Sequence, residues 1–372
     1  MFFLTFSNIW SFTFFFTFTY FIFIISVMIY LMPIISTQLK FSISKNKTFF
    51  TIINSHDMFS IIVTPVYLIL LINCLWVGPS LTTWFGHVVF TNFQSKLLLL
   101  LVLSFILVLW VFTQSTYYTS KEIYDFLITI FNFFYWLFLL LCSNSIFSTI
   151  FVIEVLSTLI LLLIVTSTFS SAYFYRNTKL DEGNLFQQIT PFTYLQSILY
   201  FFWVSLISSL NLFLFCLFFY IKILSFDYYL IEHIFNFFIL NSSLKEIVTL
   251  SLSWYILIFC IFLKCGIAPL YIWKPTFFKG IPFYTIFIYV CFFYFFLFIF
   301  IVHMLTSYFS EVYYFYSLVL VVLVLFGLFM LLAIICETFY LKSFLAISSL
   351  LNSIFVFLTI ISPHINDIIL LL

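Results

Sequence analysis

Apolar residues in this chain come in runs long enough to cross a bilayer, and polar residues gather in the joins between them. A membrane span needs about 20 apolar residues. By that measure the sequence predicts ten spans: Ile9–Leu31, Phe59–Trp76, Leu97–Phe112, Phe126–Cys142, Ile146–Val165, Tyr194–Ile223, Ile247–Tyr271, Ile281–Val302, Val312–Cys336 and Phe344–Ile361. The sixth is long enough to tilt or to extend beyond the bilayer. Only Ser143, Asn144 and Ser145 separate the fourth from the fifth, which suits an antiparallel helix pair with a tight turn. The expectation is an all-α polytopic membrane protein.

Composition agrees. The chain is 65% hydrophobic and 7% charged, against roughly 25% charged in a soluble domain. A net charge of +1 offers no electrostatic case for nucleic acid. The 60 Phe and 24 Tyr, beside only 6 Gly, point to an AT-rich coding genome such as an organelle's. All seven cysteines lie in or at the ends of apolar runs, none in a Cys-x-x-Cys pair, and read as small core hydrophobes. The five histidines show no metal-ligand spacing. The first apolar run is too long for a signal-peptide core and has no basic residue before it, so it reads as a retained span.

Charge placement orients the spans. The odd-numbered joins hold nine basic residues: Lys40, Lys45, Lys47, Lys121, Arg176, Lys179, Lys274, Lys279 and Lys342. The even-numbered joins and their edges hold three: Lys96, Lys222 and Lys245. The positive-inside bias then places the odd joins on the cytoplasmic or matrix side, with the N-terminus facing out.

One stretch is a poor filler of lipid. Lys264 to Pro282 carries three prolines, two glycines and three lysines. Pro269 has no N–H, so the carbonyl of Cys265 loses its helical partner and the seventh helix is expected to break. Non-helical backbone at membrane depth is tolerated only where protein or water covers it. A charged amine beside a broken helix is therefore a candidate ion or proton site. Glu154 is the other costly residue inside a span. It is either a neutral acid bonded to Ser157 or Thr158, or one half of a pair with Lys264. Pairing accounts for both residues at once. Ser205, Ser208 and Ser209 of the sixth span read as helix-packing contacts or as a proton wire. The join from Leu224 to Glu246 reads as a solvated face or a surface-lying segment.

Lys264, Gly266, Ala268, Pro269, Trp273, Pro275, Gly280 and Pro282 match, without a gap, a motif of the antiporter-like subunits of respiratory complex I. The Ala-Pro and the Gly-Ile-Pro ending resemble the subunit 2 branch of these NADH dehydrogenase membrane subunits. Tyr124-Asp125-Phe126-Leu127 through Glu154-Val155-Leu156-Ser157 resembles the family's fourth and fifth helices. Leu199-Tyr200-Phe201 with the three serines resembles its sixth helix. Lys342 with Ala346-Ile347-Ser348-Ser349 resembles the basic residue and small-residue signature of a later helix, with Asn352 where a histidine is common. The resemblance runs from about Tyr124 to Phe357. It divides the chain into N-terminal membrane helices (1–122), antiporter-like proton-translocation helices (123–361) and a C-terminal tail (362–372).

The resemblance implies a multi-pass subunit of the mitochondrial inner membrane, organelle-encoded, in a proton-pumping NADH:ubiquinone oxidoreductase. Glu154 and Lys264 would be its proton-carrying pair. It implies no cofactor on this chain; FMN, iron–sulfur clusters and ubiquinone belong to the parent complex, whose other membrane subunits are the partners. Three departures stand out. The family's second membrane lysine, in the next helix, is Tyr294 here, with His303 the other candidate in that span. The acidic residue usual after the second proline is Thr276. The family's later helices, one with an exit-side lysine, have no counterpart here, which implies a separate polypeptide supplying them or a copy that does not pump. A stand-alone cation/proton antiporter subunit and a structural subunit without transport are the alternatives.

Overall fold

A helix satisfies its backbone polar groups within one segment, which is the condition that lipid imposes on an apolar chain. In the computed structural model of the 372-residue chain, the described residues are 81–83, 87–90, scattered positions of 94–108, 120–177, 191–228, 230, 233, 244–307 except 268, 310–335 and 341–360. Nearly all are helical. The expected spans Ile9–Leu31 and Phe59–Trp76, and the tail 362–372, lie outside them.

The helices are α1 (Ser120–Cys142), α2 (Ile146–Asn177), α3 (Pro191–Ile223), α4 (Leu244–Cys265), α5 (Trp273–Gly280), α6 (Phe283–Ile288), α7 (Phe295–Ser307), α8 (Ser310–Ile335) and α9 (Leu341–Ile360). A π-helical stretch, Tyr289–Tyr294, joins α6 to α7, and Ile288, Tyr289 and Phe295 keep right-handed helical dihedrals across both joins. Among the described residues, three segments are long and apolar enough to cross a membrane: Ile146–Thr166, Thr193–Ile221 and Phe283–Val302. Shorter apolar helices accompany them, among them Leu252–Cys265 and Leu341–Phe355. One departure from an all-helical chain is a small antiparallel pair, β1 (Leu81–Thr83) with β2 (Val88–Phe90), Leu81 opposite Phe90.

The chain falls into two compact units: Met1–Asn144 with Val165–Phe174, and Ser145–Ile164 with Tyr175–Leu372. In the first, β2 packs on α1. The Asn144 N–H donates to the His87 carbonyl at 2.8 Å, and Phe134 of α1 meets Phe105 with ring centroids 4.5 Å apart. In the second, α3 packs against α4 and α5, and α9 against α5 and α8. Its aromatic centre is Phe201 of α3, stacked on Phe277 of α5 at 5.0 Å, with Tyr289 edge-on to Phe277 at 5.2 Å.

Helix α3 ends on Leu224, whose φ of 59° is left-handed. Its N–H donates to the Tyr220 carbonyl at 2.9 Å, which closes the helix in the manner usually left to glycine.

Candidate functional site

The seventh span is not continuous over Ile247–Tyr271. Helix α4 stops at Cys265 and the chain resumes as α5 at Trp273. The stop is set by Gly266, with φ +62°. The Gly266 N–H donates to the Leu263 carbonyl at 3.2 Å and the Ile267 N–H to the Phe262 carbonyl at 2.8 Å. Those two bonds are the Schellman closure, which satisfies the last carbonyls of a helix. Trp273 reaches back and donates its Nε1 to the same Leu263 carbonyl at 3.2 Å. Pro269 lies in the turn that follows. The break expected from Pro269 is thus made three residues earlier, by glycine, and the proline keeps the helix from resuming. Ala268 lies outside the described residues.

This closure fixes Lys264 in the last turn of α4, where a cation complements the negative end of the helix dipole. Its Nζ donates to Glu154 Oε1 of α2 at 2.6 Å. The lysine side chain is 6% exposed and the glutamate's 32%, so the pair is closed on the amine side and open on the carboxylate side. Ser157 donates to the Glu154 backbone carbonyl and Thr158 to that of Val155. The pairing reading of Glu154 holds, and these two hydroxyls are occupied along their own helix.

Lys264 also lines a cavity of about 40 Å³ in the second unit. Its wall is mostly apolar, but Thr149 and Tyr228 add hydroxyls, bonded to each other at 2.9 Å. Tyr228 donates in turn to Met304 Sδ at 3.7 Å. A water needs roughly 10–15 Å³ of such space and a few polar partners. The cavity has the volume for a water beside the Lys264 amine, within a wall that is almost wholly apolar. Tyr228 belongs to the join after α3 and is buried, so that part of the join is not a solvated face.

Two lysines assigned to joins by the sequence are interior. Lys274 is fully buried, and its Nζ has no hydrogen-bond partner among the described residues. It sits over the Tyr294 ring, 3.8 Å from the centroid. Lys342, also buried, donates to the Ile281 carbonyl at 2.7 Å and lies 3.5 Å from that of Lys279. It holds the carbonyl end of α5 to α9, a positioning contact on backbone rather than a partner for Glu154. With these two in the interior, seven basic residues of the odd-numbered joins are left against three.

Ser205, Ser208 and Ser209 each donate to a carbonyl one turn back. Only Ser208 is buried, so packing describes them better than a wire. Thr276 likewise donates to the Trp273 carbonyl. The His303 side chain lies outside the described residues. Cys142, Cys216, Cys260 and Cys265 are buried as expected, whereas Cys291 is exposed on the outer face of the π-helical stretch.

Sequence reasoning missed Thr149, Tyr228 and Lys274. Nothing in periodicity marks the first two. Lys274 carried a signal, an amine inside the same apolar motif as Lys264. Compared with models of known protein families and with curated proteins, the chain matches none.

Proposed function

We propose that this chain is a proton-translocating membrane subunit of an NADH:ubiquinone oxidoreductase, working in the inner mitochondrial membrane. The observation that carries the reading is the ion pair between Glu154 of α2 and Lys264 at the broken end of α4. Its residues fall where the complex I motif has its glutamate and lysine. A buried amine beside a carboxylate keeps its proton; when the carboxylate moves off or is neutralised, desolvation favours the neutral amine. Lys264 lines a cavity of about 40 Å³, and a water admitted there would take the released proton. Quinone reduction elsewhere in the complex would supply the displacement. The flavin, iron–sulfur and quinone chemistry belongs to other subunits under this reading, and this chain carries protons only.

The test is Lys264→Ala in the native complex, with proton pumping measured per NADH oxidised. Pumping should collapse while NADH oxidation by artificial acceptors persists. Unchanged pumping would overturn the reading in favour of a structural subunit. Migration of the chain apart from NADH dehydrogenase activity, after gentle solubilisation, would overturn it in favour of a stand-alone antiporter.

A further inference from the structure

Lys274 is the second unusual amine of this chain, and the ion pair does not use it. Its side chain is wholly enclosed. Its Nζ has no hydrogen-bond acceptor among the described residues. Burying an unpaired ammonium is expensive, and such a group survives in a fold only with a neutralising partner, with water, or by giving up its proton. What the structure does supply is an aromatic face: the Tyr294 ring lies 3.8 Å from Nζ. A ring in that position attracts the charged form without sequestering a proton, because it offers π density and no basic lone pair along that approach.

The placement is built rather than incidental. Lys274 sits in the first turn of α5, which packs on α3 and on α9. Its Cδ lies 3.2 Å from where a side chain on Gly266 would begin, so glycine at the break leaves the room that the lysine stem fills. On the opposite side, the backbone from Tyr289 to Tyr294 is π-helical. Single π turns recur at functional sites, and the wider turn brings residues five apart toward one side. Both tyrosines are buried. The titratable groups set against Lys274 are Cys265 at the end of α4 and Tyr294 on the π-helical stretch, and no carboxylate pairs with it among the described residues. Lys264 closes the last turn of α4 and Lys274 opens the first turn of α5, so the two amines flank the helix break.

We propose that Lys274 is a second proton-carrying amine of this chain, held over the Tyr294 ring and exchanging protons with Lys264 across the break in the helix. The inference rests on the reading of Glu154 and Lys264 as a proton-carrying pair. The step is proton transfer alone. An N–H bond of one ammonium breaks, its electron pair stays on that nitrogen, and the proton passes through water to the lone pair of the other amine. No oxidant or reductant takes part.

The experiment measures proton flux in liposomes holding the intact native complex, with Lys264→Met, Lys274→Met, Lys274→Arg and the double variant Lys274→Met/Tyr294→Lys. An arginine retains the cation over the ring but does not deprotonate in proteins. Lys274→Met and Lys274→Arg should both lower flux by about tenfold or more, with the arginine variant assembled to the wild-type level. The double variant restores an amine from the other side of the contact and should recover part of the flux. Wild-type flux in Lys274→Arg overturns the proposal, because a fixed charge then suffices. Should Lys274→Met fail to assemble, the arginine and double variants decide. If Lys264→Met abolishes flux while both single Lys274 variants keep it, this inference fails and the ion-pair reading stands. If Lys264→Met also keeps its flux, the ion-pair reading itself has failed.

Discussion

Gly266 decides where the Lys264 amine ends its reach. An L-residue at φ +62° is strained, by about 1–2 kcal/mol. An added Cβ would also meet Lys274 Cδ and Trp273 at 3.2 Å. Gly266→Ala should therefore destabilise the solubilised protein by roughly that amount and crowd the Lys274 stem. Thermal melting in detergent checks the first effect. The ratio of proton flux to assembled complex checks the second. At this scale the sequence was informative about Lys264 and Glu154, because an ionisable group inside an apolar run has few inexpensive explanations. It was less informative about the burial of Lys274 and Lys342. A lysine in a Pro- and Gly-rich stretch reads as a join, and only tertiary structure reveals that an Ile281 carbonyl or a Tyr294 ring receives it.

Among the elements, α5 is the one that matters most for the site. Eight residues of helix are marginal alone, and this segment is secured from outside. Trp273 ties its start to Leu263, Lys342 binds the carbonyls at its end, and Gly280 sits against α3. A Cβ on Gly280 would collide with the Thr193 carbonyl oxygen and lie 2.6 Å from Ser197 Oγ. Backbone cannot yield cheaply there. Gly280→Ala should push α5 off α3 and cost about 1–3 kcal/mol, the usual penalty for overpacking. Lower thermal stability and faster proteolysis between α4 and α6 would show it. The expected spans from the fourth to the tenth fall in helices, because long apolar runs leave little choice but helix, although α1 begins at Ser120, before Phe126, and α2 continues past Val165 to Asn177. The seventh is the exception. Hydropathy runs straight through Gly266, since Ile267, Leu270 and Tyr271 are as apolar as the helix before them.

For the whole molecule, the outward faces carry the membrane argument. Trp203, Phe213 and Phe218 of α3 and Val322, Phe326 and Phe329 of α8 are exposed, a surface that water would not tolerate over such an area. Lipid tails or neighbouring subunits are the environments that match it. The chain should stay with the membrane fraction through an alkaline carbonate wash and leave it only with detergent. Release by carbonate alone would contradict an integral membrane protein. How the second unit's helices would sit among partners was never legible from one chain, because lipid and protein neighbours demand the same apolar side chains.

The double attachment of α5 has a consequence for how this sequence can evolve. Where a side chain faces lipid, any apolar residue serves, so identity there is loosely constrained. Length between Gly266 and Gly280 is another matter. One inserted residue would turn everything after it by about 100° around the helix axis. If the insertion fell between Trp273 and Lys274, the Trp273 anchor could hold while Lys274 lost its ring, or Lys274 could hold while Gly280 lost its seat on α3. Related genes should therefore differ freely in the letters of this stretch and hardly at all in their number.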